Sequence, residues 1–186
     1  MKSYLIKIST SVFLFFLLLT WNGCDEFNSL PLNIPFSISM PVAGYGSTIS
    51  ESVDYCFSTQ SDTYNEYKEN VTSLHFVEAA LRTIDVYPSD LTGDVDITLQ
   101  GNGNSLFTYS IPNYKPADYK KPNMPYILQL DQQQIDFINS YLGDILNNSE
   151  GSCFNATITV SNIVNGGQPT ILHIALDMVI EADTKL

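Results

Sequence analysis

Positive charge is scarce in this chain. Eight Lys and Arg face 20 Asp and Glu among 186 residues, a formal net charge of −12. With no basic stripe to displace counterions from phosphates, nucleic acid is excluded as a partner. Electrostatic adhesion to anionic lipid is excluded for the same reason. Histidine is almost absent. His75 and His173 each lie among apolar neighbours in strand-like runs and read as partly buried structural residues. Arg82 is the single arginine and Trp21 the single tryptophan. No G-x-S-x-G, no H-E-x-x-H and no phosphate-cradling glycine loop appears, so the sequence assembles no catalytic signature and calls for no cofactor. The one G-x-G, Gly101-Asn102-Gly103, sits between two strand-like runs and reads as a turn.

Long apolar runs are missing too, with one short exception. Val12 to Leu19 is an uninterrupted apolar stretch of eight residues, well below the roughly 20 needed to cross a bilayer. Lys2 and Lys7 flank it on the N-terminal side, and Gly23 and Cys24 follow it. That order of basic, apolar, small residue and Cys resembles the lipobox signal of bacterial lipoproteins. Trp21 stands where that family usually carries an aliphatic residue, and Asn22 replaces the commoner Ser or Ala. The resemblance covers only these first two dozen residues; no domain family is recognised in the rest. It implies that residues 1–23 are a signal peptide, that the thiol of Cys24 is acylated, and that the chain is held on a membrane by its N-terminus. Two or more acyl chains anchor stably where one does not. The acidic pair Asp25-Glu26 behind the Cys resembles the surface-export signal of Bacteroidota lipoproteins; in enterobacterial lipoproteins an acidic residue directly after the Cys implies inner-membrane retention instead. The expected address is therefore the bacterial cell envelope, lipid-anchored, at the outer membrane, with the periplasmic or surface side left open. A plainly cleaved secreted protein and an uncleaved anchor are the alternatives.

If Cys24 carries lipid, Cys56 and Cys153 remain. Export would place them in an oxidising compartment, where a disulfide is expected; two free buried thiols are the alternative. Loss of Lys2 and Lys7 leaves six basic residues against 20 acidic, a net charge of about −14.

Residues 24–31 are expected to form a lipidated tether and residues 32–186 a single mainly β domain. Period-2 alternation dominates. Ile34, Phe36, Ile38 and Met40 share one face of a first strand, and Ile49, Val53, Tyr55 and Phe57 one face of a second. A short polar helical turn is expected over Asp62 to Glu69. Leu74 to Tyr87 reads as a bulged strand or a helix, with the Tyr87-Pro88 exit favouring strand. Two runs flanking Gly101-Asn102-Gly103-Asn104 predict a hairpin. Ile111 to Pro125, rich in Pro, Tyr and Lys, reads as an extended loop. One amphipathic helix is predicted over 131–147, with Asp131 and Gln134 spaced as a capping box. Phe154, Ala156, Ile158 and Val160 mark a further strand, and Ile171 to Ile180, apolar on both faces, a central one. About seven strands with Gly, Asn and Pro turns predict an antiparallel, Greek-key-like β-sandwich. An α+β arrangement with the helix on a single sheet is the alternative.

Two segments carry candidate chemistry. Tyr109, Tyr114, Tyr119 and Tyr126, with Lys115, Lys120 and Lys121, concentrate half the positive charge of the processed chain near one loop. Such a loop could grip a protein or glycan partner, or its rings could fold back onto the sandwich. Asp90, Asp94 and Asp96 are a weak calcium candidate without EF-hand spacing; a solvated turn leading into a strand is the alternative. The function this supports is a membrane-anchored, non-catalytic binding or structural module. An envelope hydrolase working through paired carboxylates is the alternative.

Overall fold

Alternation of apolar and polar residues makes strands of most of the chain. The computed structural model describes residues 29–147 and 153–185, so the signal segment and Cys24 lie outside it. β1 (Ser29–Gly44) buries Ile34, Phe36, Ile38, Met40 and Val42 and turns the residues between them outward. Seven more strands follow: β2 (Ile49–Cys56), β3 (Val71–Tyr87), β4 (Thr92–Gly101), β5 (Asn104–Tyr114), β6 (Tyr126–Ile127), β7 (Cys153–Val164) and β8 (Thr170–Lys185). Among the described residues three helices interrupt them, α1 (Phe57–Gln60), α2 (Asp62–Tyr67) and α3 (Gln132–Asn147), with a 3-10 turn at Pro116–Tyr119.

The strands form two four-stranded sheets, ordered β1-β8-β3-β6 and β2-β7-β4-β5. First pairs with last, second with seventh, third with sixth and fourth with fifth, all antiparallel. The chain is thus one long hairpin, rolled up until β3 also meets β8 and β4 also meets β7. That is the jelly-roll form of the β-sandwich. The expected sandwich therefore forms, and the single-sheet α+β alternative does not. At the tip of the hairpin Asn102 (φ 50°) and Gly103 (φ 77°) both take positive φ. This is the two-residue geometry whose twist matches the flanking strands, and it explains the Asn-Gly pair.

Connections gather at two ends. Segments 44–49, 87–92, 114–126 and 164–170 cross between the sheets at one, here called the far end. Ser29, Lys185, α1, α2 and the β4–β5 turn lie at the other, the near end. β1 is the edge of its sheet, and Pro31, Pro35 and Pro41 fall on it at one parity. Its register with β8 runs without a shift, so all three missing N–H donors fall on the unpaired edge, where proline discourages another strand from adding.

α3 closes the opposite side, lying against both β3 and β5. It buries Ile138, Tyr141, Leu142 and Ile145. Its start is a reciprocal capping box: the Gln134 N–H donates to Asp131 Oδ1 (2.9 Å) and the Asp131 N–H to Gln134 Oε1 (3.0 Å). Asn139 Oδ1 accepts from the backbone N–H of Phe76 at 2.7 Å, serving an edge donor of β3.

Three boundaries differ from the sequence reading. Ser29, Leu30 and Pro31 belong to β1, paired with Lys185, Thr184 and Asp183, so the first strand takes in the last residues of the predicted tether. Ile111–Tyr114 extend β5, because a bulge lets Pro112 and Asn113 pass without ending the ladder. β6, only two residues long, carries too little pattern to be read. β3 is indeed a strand, with register shifts at Val71/Ser73, Phe76/Glu78 and Thr83/Asp85.

Cys56 and Cys153 form a disulfide between directly opposed positions of β2 and β7. It joins residues 97 apart in sequence. In the chain-entropy model a loop of this length contributes up to about 4–5 kcal/mol through the unfolded state. The double variant Cys56→Ser/Cys153→Ser should fold but unfold at a lower urea midpoint, by a free energy up to that figure. A midpoint equal to that of the oxidised protein would show that the bridge adds no stability.

Candidate functional site

The tyrosines singled out in the sequence do come together. Tyr114 and Tyr119 stack with centroids 5.1 Å apart and planes 5° from parallel. Tyr126 meets Tyr119 (5.4 Å), Tyr114 (6.4 Å) and Tyr109 (6.4 Å) edge-on. Offset stacks and T-shaped contacts are the favourable arrangements of aromatic quadrupoles. The cluster folds the 114–126 segment back onto the upper part of β3 and β5, the second of the two arrangements the sequence left open. Tyr114 is 2% exposed and its hydroxyl lies 3.2 Å from Thr83 Oγ1, so it is a core residue rather than a contact residue. Burial pushes its hydroxyl well above the ordinary tyrosine range. Tyr126 is raised by its hydrogen bond to Tyr109 and then by burial. Tyr109, Tyr119 and Tyr126 keep part of their rings at the surface.

An open cleft of about 380 Å³ lies against this cluster, between Tyr119, Tyr126, Pro112, Asn113, Lys115 and Asp118. Lys120 Nζ is held by Asp85 Oδ1 at 2.7 Å, and that ion pair, with a parallel bridge from Thr83 to Lys120, fastens the loop to β3. Lys115 and Lys121 are exposed. Around the far end stand further apolar side chains in water. Tyr45 is 81% exposed and Val164 65%, and Tyr87 and Ile171 are partly exposed register partners across β3 and β8.

The aspartates singled out for calcium do a different job. Asp94, on β4, accepts from the Asn113 N–H on β5 (2.8 Å) and from Asn162 Nδ2 on β7 (2.7 Å). Asn113 (φ 51°) and Asn162 (φ 52°) are both left-handed and both sit where their strand carries an extra residue opposite β4. They are bulges, and Asn is among the few residues that tolerate this conformation. One carboxylate therefore ties two bulges on either side of its own strand. Those bonds, the Asn113 N–H first and Asn162 second, hold its pKa below the usual carboxylate value. Asp96 is bonded to the Ser110 hydroxyl instead, and Asp90 is exposed in the β3–β4 turn. Among the described residues no group of three or more His, Cys, Asp or Glu is arranged to hold a metal ion.

Both histidines lie on the outer face of the first sheet; His173 is half-buried, as expected, whereas His75 is exposed. His75 Nε2 approaches Asp183 at 3.9 Å, and the Ser73 hydroxyl donates to the same carboxylate at 2.5 Å. His173 Nε2 is hydrogen-bonded to Ser39 Oγ at 2.5 Å, with Asp85 opposite it on β3. Three adjacent strands thus line up Ser, His and Asp, a juxtaposition that sequence separation hides. Nucleophilic chemistry would need Asp85 to orient the imidazole, whereas its carboxylate takes the hydrogen bond of Lys120 first and is lowered chiefly by it. Arg82 grips Asp177 with two hydrogen bonds, at 2.7 and 2.9 Å.

No protein-family model matches the chain, and no curated protein is similar to it in sequence. Among solved structures, a chain of mud crab tombus-like virus is similar at a TM-score of 0.40 and 11% identity, over 88% of this chain and 86% of that one. A chain of Desmodium yellow mottle tymovirus gives 0.38 and 10%, over 85% and 83%. A chain of the Macrobrachium rosenbergii nodavirus semi-empty VLP gives 0.36 and 10%, over 84% and 96%. At these scores the likeness carries no argument about this chain.

Two measurements check the roles assigned here. Tyr114→Phe loses one hydrogen bond and should cost about 1 kcal/mol in chemical denaturation, whereas Tyr114→Ala opens the core and should cost about 3–5 kcal/mol. Equal losses would contradict a core ring. For Asp94, a folded-state pKa below the ordinary 3.8 means that its contribution is fully present above that value and fades as pH falls through the folded value. Thermal unfolding across pH 2–7 should show wild type above Asp94→Asn at neutral pH, with the gap closing toward acid; a constant gap would count against the charge.

Proposed function

We propose that this chain is a bacterial envelope lipoprotein, acylated at Cys24, whose sandwich is a non-catalytic module for binding or for envelope structure. The observation that carries the reading is the position of the chain entry. β1 begins at Ser29 on the near end, only a few residues after Cys24. The Tyr119–Tyr126 cleft, Lys115, Lys121 and the exposed Tyr45, Tyr87 and Ile171 lie toward the other. With about 3.3 Å per residue, the 16-residue β1 spans roughly 50 Å. An anchor at Cys24 would set the tyrosine and lysine surface at about that height above the lipid, turned toward a protein or glycan partner.

Two features support this address. The Cys56–Cys153 disulfide suits a compartment outside the reducing cytosol. Asp25 and Glu26 favour the outer membrane in the way the sequence resemblance implies. The acidic surface, at about −14 after processing, keeps crowded copies apart.

Cys24→Ser tests the anchor directly. The substituted chain should leave the membrane pellet for the soluble fraction, and the wild type should lose its sandwich to protease added to intact cells if it faces outward. A Cys24→Ser protein that stays with washed membranes would overturn the lipid anchor.

A further inference from the structure

A second cleft, distinct from the tyrosine cluster, lies at the near end between α3 and the β4–β5 hairpin. Its volume is about 410 Å³, within the range of small-molecule sites. The floor is Tyr141, 4% exposed, whose hydroxyl donates to the Cys153 carbonyl at 2.7 Å and whose ring meets Phe154 edge-on at 5.1 Å. Gly101 passes directly beneath that ring, and a Cβ there would stand 2.6 Å from it. The floor is thus built by close approach and cannot swing away. Burial first, and the nearby Asp144 carboxylate second, push the Tyr141 hydroxyl pKa up.

The walls differ from the floor. Phe137 is 48% exposed on the polar side of α3, and Ser140 and Asp144 follow it at helical spacing along the same side. Asn102 and Asn104 stand across from them on the hairpin. A phenyl ring held in water beside a rigid cleft has no packing role that the interior of the sandwich requires. Among the described residues the polar lining consists of amides, hydroxyls and one carboxylate, with no lysine, arginine or histidine. Phosphate and carboxylate ligands find no counter-charge there.

We infer that this cleft binds a neutral saccharide, with the apolar face of a sugar ring on Phe137 and its hydroxyls bonded to Asp144, Asn102 and Asn104. A sugar joins a flat hydrocarbon face to a rim of hydroxyls, and the cleft offers the complement of each: an exposed aromatic face and side chains that accept or donate neutral hydrogen bonds. The anchored function proposed above is not a premise of this inference.

Saturation-transfer NMR on the full-length chain, kept in a detergent without a sugar headgroup, tests the site. The probes are glucose, galactose, mannose, N-acetylglucosamine, maltose and cellobiose. At least one should receive saturation, strongest at the ring protons of its apolar face. Phe137→Ala should weaken that binding about tenfold, a loss in the range of one aromatic contact. Phe137→Tyr should retain it, and Asp144→Asn should weaken it. Matching thermal unfolding curves establish that each variant is folded. No transfer to any of the six sugars, or transfer undiminished in folded Phe137→Ala, would overturn the assignment. Because the readout is binding in solution, failure of the Cys24 anchor and failure of this site are separate results.

Discussion

The two long partners of the first sheet, β1 and β3, are both registered against β8. It has a neighbour on each edge, and toward the core it turns Leu172, Ile174, Leu176, Met178, Ile180 and Ala182. Burying each larger side chain contributes about 1.5–3 kcal/mol, so no other strand of that sheet commits as much. On its outer face Ala175 is buried as well, next to the Arg82–Asp177 pair. β1 follows β8 over sixteen positions without a slip. β3 absorbs the irregularities instead, through three bulges. The fold can tolerate distortion in its third strand because its last strand allows none.

The two sides of the sandwich are closed by different chemistry. On one, β1 stays an edge and is guarded by prolines that cannot donate. On the other, the free edge of β3 is divided among three covers. Lys120 and the stacked tyrosines take the upper part, β6 pairs with Ala80 and Leu81 in the middle, and Asn139 of α3 receives the Phe76 N–H below. Residues that look like a decorated loop in the sequence are therefore part of the wall, and what they leave exposed is shaped by that first duty.

What could be read in advance follows from which interactions are local. Alternation in Ile34–Met40 and Phe154–Val160 identifies inward faces, because strand geometry imposes a period of two. Asn102-Gly103 identifies a turn, and Asp131 with Gln134 a helix start, since each is settled within four residues. The Cys56–Cys153 pair is legible by elimination once Cys24 is assigned to lipid. Beyond the β4–β5 hairpin, which its turn joins, strand partners are not legible: an alternating strand states which face is buried and says nothing about its neighbour, so the nested order appears only in the fold. Tyr114 reads as loop because Pro112 and Lys115 surround it, and only the bulge at Asn113 keeps it on the strand. The service of Asp94 to two left-handed asparagines depends on β5 and β7 both flanking β4, a fact no spacing carries. The Phe137 cleft escapes for the same reason, since its walls are more than thirty residues apart in sequence and meet only when α3 docks beside the hairpin.

The nesting of strand pairs has a kinetic meaning. β4 and β5 meet across two turn residues, whereas β1 and β8 first meet where Gly44 reaches Thr170. The entropy of closing a loop rises with the logarithm of its length, and chains rich in such distant pairings fold slowly. The innermost hairpin can form as soon as it is made, but the first strand must wait for the final one. Until residues 170–185 arrive, β1 has no neighbour to join, and because its three prolines guard only the edge that stays unpaired, the edge meant for the last strand stands open until then.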